Sequence, residues 1–350
     1  MPALQKISLQ ETVGDKTISL QTGTLAKQAG GSVTCHLGDS IVMSAATVAK
    51  NPKEVSFVPL TSDYRERAYA AGRVPGGFFK REMRPRDKET LTSRLVDRPI
   101  RPLFPEGWNH ETSIQSIVVS CDMVNDPDIL AINAASAALM LSDAPFNGPV
   151  GGVRIARVNG AFVLFPTWEE RETAELELVV AGKKDALLMV EGSAHEVSEE
   201  LFVEALDIAQ KEINKLCAMQ LELLKRSEAA GRKVVKHAVK TPVIPPAVQA
   251  LVATRFTEPL KKHLRSKLDK HDLDARIDEV KDALKKEVVE KAKTDPAFTD
   301  GLKWVSKICE DILYAESRAL TLVDRVRPDG RGFEEIRPID ILLKPFPRLH

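Results

Sequence analysis

Two adjacent aromatic residues, Phe78 and Phe79, follow Gly76-Gly77 and run directly into Lys80, Arg81 and Arg84. Further on, Arg94, Arg98 and Arg101 recur at i, i+4 and i+7. The chain as a whole has 50 basic and 50 acidic residues. Residues 78–101 nevertheless hold eight Lys or Arg (80, 81, 84, 86, 88, 94, 98, 101) against four Asp or Glu (82, 87, 89, 97). A neutral protein that gathers cations beside aromatic rings has the makings of a local polyanion site, because cations neutralise phosphates and rings stack on base faces. Stacking platforms of this kind serve single strands, at about 1–3 kcal/mol per base.

Two readings of the aromatic pair compete. Phe78 and Phe79 could plug a loop from inside. The glycines before them and the cations after them favour a solvated loop, and with it a stacking role. The arginines are similarly double-valued. Charges on a helix face usually pair with neighbours such as Asp97, Glu89 or Glu82. For Arg94 the two readings stand level. For Arg98 and Arg101 phosphate binding is favoured, since the positive charge exceeds what nearby acids offset and the guanidinium fork suits phosphate. Arg65, Arg67 and Arg73 extend the basic stretch upstream.

Other chemistries find little support. The seven histidines show no HExxH or other metal-ligand spacing, and no GxxxxGK[ST] phosphate loop occurs. The glycine-rich Gly148–Gly152 stretch precedes a strand-like run rather than opening a helix, so it is no dinucleotide fingerprint. Glu169 and Glu175 could hold a divalent ion as a pair, but they sit in an acidic stretch where solvated carboxylates are the commoner outcome.

Those residues need a scaffold to position them. At 350 residues, with 43% apolar and 29% charged residues, the chain has material for two domains and part of a third. Cys35, Cys121, Cys217 and Cys309 are widely spaced and form no CxxC pair, which predicts reduced structural thiols. The N-terminus lacks an apolar signal block and no uncharged apolar run is long enough to span a membrane, so no membrane association is expected and a cytoplasmic location fits.

Alternating runs at Ile7–Val13 and Thr17–Leu20, then Val33–Leu37 and Ile41–Val48, are joined at Gly14-Asp15 and Gly38-Asp39 and predict hairpins. Val55–Leu60 predicts a further strand. Residues 72–87 are a loop, and residues 88–97 a helix capped by Thr90 and ended by Pro99 and Pro102. Ser113–Cys121 predicts a strand. Asp126-Pro127 begins an Ala-rich helix to Leu141, expected to be buried on most sides. Strands follow at Gly151–Val158, Ala161–Phe165, Leu176–Val180 and Ala186–Val190, then a long helix from Ser198 to about Arg226. Residues 233–246 form a Pro/Val/Lys linker. Residues 247–320 are dominated by helix formers, with Gly301 the one glycine. Beyond the turn-rich Arg327–Gly332, Ile336–Leu343 reads as the start of another strand. No repeat or low-complexity tract is present.

Taken in order, FVPLTSDYRERAYAAGRVPGGFFKRE, RPRDKETLTSRLVDRPIRPLFPEGW, NDPDILAINAASAALMLSDAPFNGPVGGVRIARVNG and LELVVAGKKDALLMVEG closely resemble the first core domain of the bacterial polynucleotide phosphorylase (polyribonucleotide nucleotidyltransferase) family. DRVRPDGRGFEEIRPID resembles the entry to that family's second core, and the block between matches its inter-core helical domain. The resemblance covers nearly the whole chain. It implies an α+β fold: a ribonuclease PH-like core at 1–232, a linker at 233–246, a small all-α domain at 247–320, and the truncated start of a second ribonuclease PH-like core at 321–350.

The resemblance also implies a function. Family members form homotrimeric rings and degrade single-stranded RNA from the 3′ end by phosphorolysis, with Mg²⁺ and with inorganic phosphate as co-substrate. The loop of Phe78, Phe79, Lys80 and Arg81 would grip RNA in the channel, with Arg84, Arg94, Arg98 and Arg101 as further RNA contacts. Lys80 stands where the family pattern usually has Arg, which keeps the charge but loses bidentate geometry. The family's phosphate-binding segment and metal ligands lie in the second core. No catalytic residue is therefore expected in these 350 residues, and the chain alone should be inactive. Glu169 and Glu175 align with two aspartates of the second core, as a vestigial pair. Partners in an RNA-degradation complex are a further family expectation. The alternatives are a non-catalytic RNA-binding ring subunit and an oligomerisation scaffold without RNA affinity. A coding sequence that continues past His350 would favour the enzyme, and a stop codon there the binding subunit.

Overall fold

The computed structural model describes residues 5–55, 57–77, 84–239, 243–343, 345, 347 and 348. The chain divides into two compact units, Met1–Thr241 and Pro242–His350.

Among the described residues, the first unit holds ten strands and four α-helices: β1 (Ile7–Val13), β2 (Lys16–Thr22), β3 (Gly31–Leu37), β4 (Ser40–Pro52), β5 (Leu60–Glu66), α1 (Asp87–Ile100), β6 (His110–Ser120), α2 (Asp128–Leu141), β7 (Gly151–Val158), β8 (Ala161–Leu164), α3 (Trp168–Glu172), β9 (Leu176–Lys183), β10 (Ala186–Ala194) and α4 (Glu199–Ala229). They make a six-stranded sheet in the order β1-β2-β3-β4-β6-β5 and a four-stranded sheet in the order β10-β9-β7-β8. All pairings are antiparallel except β5 with β6.

The Ala-rich α2 lies between the sheets, packed on β3 and β4 on one side and on β7 and α4 on the other. All 14 of its residues are buried, so the expected burial extends around the whole helix. Small side chains permit this close approach. At Gly31 an added Cβ would meet the Ala138 carbonyl oxygen at 1.9 Å, so only glycine lets β3 reach α2. The helix spends its polar residues on β7 and the chain entering it. Asn133 exchanges hydrogen bonds with Gly152 at 2.8 and 3.0 Å, and the Ser136 hydroxyl accepts the Val150 N–H at 2.7 Å. Buried backbone groups are thereby satisfied where two layers meet.

After α4 the chain returns across the unit. The Lys236 ammonium donates to the carbonyls of Leu139, Met140 and Ser142 at 2.9, 3.0 and 2.8 Å, satisfying groups that the end of α2 leaves open. His237 stacks on His110, with ring centroids 5.2 Å apart, and approaches the Asp143 carboxylate at 3.2 Å.

The second unit holds α5 (Pro246–Arg255), α6 (Thr257–Leu264), α7 (Lys270–Ala292) and α8 (Val305–Leu322). Its core includes Val248, Leu260, Leu284, Val288, Val305 and Cys309. Arg265 ties α6 to α8 through Glu316 at 2.5 Å.

Three expectations are corrected. The strand placed at Val55–Leu60 is Leu60–Glu66: residues 57–59 form no strand, and alternating burial sets in with Leu60 and Tyr64 against β6. Helix α1 is capped by Arg86 rather than Thr90 and runs through Pro99, whose missing N–H falls in the last turn, while Arg101 closes the helix onto the Asp97 carbonyl. Residues 336–343 form no strand, and Ile336, Ile339, Ile341, Leu342 and Leu343 are exposed. A strand needs a ladder partner, and none is present among the described residues.

Among the described residues, no helix is long and apolar enough to cross a membrane. The four cysteines are free thiols. Burial pushes the Cys35 thiol well up and the Cys217 thiol up to about 11, so both stay protonated at neutral pH.

Candidate nucleic-acid interface

β5 lies at the edge of its sheet, parallel to β6, and ends at Glu66. A 3₁₀ turn over Ala68–Ala71 follows and closes at Gly72 in the left-handed region, φ 66°. The chain then runs out through Arg73, Val74, Pro75, Gly76 and Gly77 and returns through Arg84, Pro85 and Arg86 to α1. Phe78, Phe79, Lys80 and Arg81, the expected core of the RNA grip, lie outside the described residues.

A buried carboxylate fastens the base of this excursion. Glu89 accepts the backbone N–H of Glu66 at 2.8 Å and that of Arg86 at 2.7 Å. A carboxylate at N3 that returns to the N-cap N–H is half of a capping box, and here it also captures the strand end. The Glu66 side chain pairs with Arg86 at 2.9 Å and with Lys88 at 2.8 Å.

Below this base lies a cavity of about 1330 Å³. Arg67, Arg73, Arg84, Arg86 and Lys88 line it, with Glu66 and Glu89 as the acidic side chains, so its wall is positive. Met123 and Trp168 supply apolar lining. The positive lining and the volume suit a phosphate-bearing ligand.

Behind the wall is a buried ion network that the sequence reading missed. Asp126 accepts from Lys88 at 3.0 Å and from Arg171 at 2.6 Å. Arg154 bonds to Asp128 and to Glu177, and Arg171 reaches Glu177 at 2.9 Å. Burial disfavours the Lys88 ammonium, but Asp126 and Glu66 outweigh it and hold its pKa above the ordinary value. Burial likewise works against the Arg154 guanidinium, which Asp128, Asp126 and Glu177 keep charged. Burial pushes the Asp128 carboxyl up to about 6 against the pull of Arg154. The network joins α1, α2, α3, β7 and β9, and so sets the cavity wall on the core.

The expected site residues separate into groups. Arg84 is exposed and lines the cavity. Arg94, Arg98 and Arg101 do not line it. Arg94 is exposed on α1, and Arg98 is exposed with a 3.3 Å pairing to Glu191. Arg101 is committed internally. It donates twice to Asp97, both at 2.7 Å, and to the carbonyls of Val58 and Leu60 at 3.0 and 2.9 Å. It thus holds the approach to β5 against α1. Glu169 is exposed in α3, and Glu175 pairs with Arg157 at 3.4 Å. Among the described residues, no three His, Cys, Asp or Glu side chains converge as a metal-ligand group.

Comparison with known proteins gives two kinds of match. The first domain of the 3′ exoribonuclease family matches residues 14–145 and its second domain residues 148–212. Relatives bearing the name polyribonucleotide nucleotidyltransferase are similar along nearly all of the chain. The Elusimicrobium minutum protein is 43% identical over 352 residues, covering 100% of this chain and 49% of its own length. The Citrifermentans bemidjiense protein is 44% identical over 339 residues, covering 96% and 47%. The Geobacillus kaustophilus protein is 40% identical over 338 residues, covering 97% and 45%. The chain spans about half the length of the curated relatives it matches.

Proposed function

Because this chain belongs to the 3′ exoribonuclease family, we propose that it is the RNA-gripping N-terminal portion of a polyribonucleotide nucleotidyltransferase. The reaction of the whole protein is phosphorolysis of single-stranded RNA. A phosphate oxygen bonds to the phosphorus of the 3′-terminal nucleotide, the bond to the preceding O3′ breaks and takes up a proton, and a nucleoside diphosphate leaves.

The observation that carries this reading is the positive cavity at the base of the loop bearing Phe78 and Phe79, its stem pinned by Glu89. Phe78 and Phe79 stack on bases. Lys80, Arg81 and Arg84 take the adjoining phosphates, and Arg94 and Arg98 extend the electrostatic track along α1. Arg101 acts indirectly, as a brace, because its donors are already engaged.

Among the described residues, Glu169 and Glu175 do not come together as a Mg²⁺-binding pair. Glu169 is exposed on a short helix and Glu175 is paired with Arg157. By the chain's resemblance to the family, we assign Mg²⁺ and inorganic phosphate to a second core in the whole protein. The assembly is a cytoplasmic homotrimer around an RNA channel, open to partners in an RNA-degradation complex.

Filter binding of a 3′-hydroxyl oligoadenylate, run beside an assay for phosphate-dependent ADP release, tests the proposal. The 350-residue chain should bind the oligomer with strong salt dependence and release no ADP, whereas a protein with both cores should do both. Absence of RNA binding would overturn the reading and favour a scaffold. ADP release by this chain alone would overturn the placement of catalysis elsewhere.

A further inference from the structure

Trp168 belongs to no part of the site expected from sequence, yet it is the accessible indole of this protein. It is 37% exposed, against 3% for Trp108 and 9% for Trp304. It lines the cavity with Arg73, Arg84 and Met123.

The ring is held rather than left to swing. Trp168 is the first residue of α3, directly after Thr167, whose hydroxyl accepts the Glu170 N–H in a reciprocal capping box. Its backbone N–H donates to the Val124 carbonyl at 3.2 Å. The Lys88 ammonium and the Arg171 guanidinium sit 4.8 and 4.5 Å from the ring centroid. Both cations also pair with the buried Asp126, so they anchor the indole to the ion network. A pre-positioned aromatic surface loses little side-chain entropy when a ligand packs on it.

We propose that Trp168 is a second nucleobase contact: one base of the bound single strand packs against its exposed surface, while that nucleotide's phosphates face Arg73 and Arg84. This rests on the RNA-binding reading above and deepens it. The cavity is larger than the roughly 300–1,000 Å³ of ordinary ligand pockets, so a nucleotide fits with room for its neighbours. An aromatic surface beside cations is the combination that single-strand sites use without reading sequence.

Tryptophan emission provides the test, with oligoadenylate and ADP as separate probes added to the full chain. Oligoadenylate should quench the wild-type emission. In Trp168→Phe, which leaves the buried Trp108 and Trp304 as reporters, the quenching should vanish while affinity stays near wild type. Trp168→Ala should bind about fivefold more weakly or worse. If oligoadenylate binds, and binding depends on Phe78 and Phe79, but the emission does not move and the Trp168 variants bind equally, this inference falls and the RNA-binding reading stands. If no oligoadenylate binds, both fall. Quenching by ADP under conditions where oligoadenylate gives none would assign the indole to a free nucleotide and overturn the proposal.

Discussion

The carboxylate of Glu89 accepts the backbone N–H of Glu66 at 2.8 Å, tying the end of β5 to the first turn of α1. The same side chain holds the Arg86 N–H, so it ties together the described segments on either side of Phe78 and Phe79. Glu89→Ala leaves two backbone donors without their acceptor, at about 1–3 kcal/mol for each group that stays buried. A lowered melting temperature together with weakened RNA binding is expected, because a splayed stem no longer presents the loop. Glu89→Gln, which keeps one acceptor oxygen, should fall between. Thermal melts paired with filter binding check this.

Arg101 and Arg98 should behave oppositely although Arg98 lies in the last turn of α1 and Arg101 caps it. Arg101→Ala removes a bidentate pair with Asp97 and two carbonyl contacts, and should cost about 1–3 kcal/mol of stability with the salt dependence of RNA binding unchanged. Arg98→Ala and Arg84→Ala should leave the melting temperature nearly unchanged and each lower the slope of log K against log salt by about 1. Salt titrations of the three variants separate brace from contact.

The ion network behind the cavity makes a third prediction. Asp128→Ala removes one of the two carboxylates bonded to the buried Arg154 guanidinium, leaving it Glu177, and should destabilise the chain by about 3–5 kcal/mol. Replacing both partners with apolar residues, Asp128→Leu with Arg154→Met, should recover part of that loss, because no unpaired charge remains between them. Chemical denaturation of the single and double variants is the measurement.

Lys236 provides a pH dependence. Burial lowers its pKa to about 8 from an ordinary 10.5. Between those values the unfolded chain holds a proton that the folded chain has released, so stability from this group rises with pH across that window. Below about 8 both states are protonated and the contribution is flat. The stability of wild type relative to Lys236→Met should therefore increase as the pH is raised from 8 towards 10. A difference that stays level or falls would contradict it.

Much of the first unit was legible from residue pattern. Gly151–Val158 is a strand over its whole predicted length, and the Ala-rich run ending at Leu141 is a buried helix, because apolar periodicity and composition are local properties. The strand near Leu60 was misplaced since an apolar run reads as buried whether or not a partner lies beside it, and β6 comes some fifty residues later. Helix α3 was missed, although Thr167 followed by Glu170 three residues on is a capping-box signature. Trp168 was missed with it. The roles of Glu89 and Asp126 could not be read locally, because their partners, Glu66, Lys88, Arg154 and Arg171, come from separate elements. Arg101 illustrates the reverse error: its helical spacing suggested phosphate, while its actual partners are an acid one turn away and two carbonyls some forty residues upstream.

The proposed function rests most heavily on Phe78 and Phe79 gripping single-stranded RNA. The direct measurement is the affinity of oligoadenylate for the double variant Phe78→Ala, Phe79→Ala against wild type, at one salt concentration and with folding verified by melting. A loss of about 2 kcal/mol or more, roughly thirtyfold in dissociation constant, is predicted. Equal affinity in a folded double variant would contradict it.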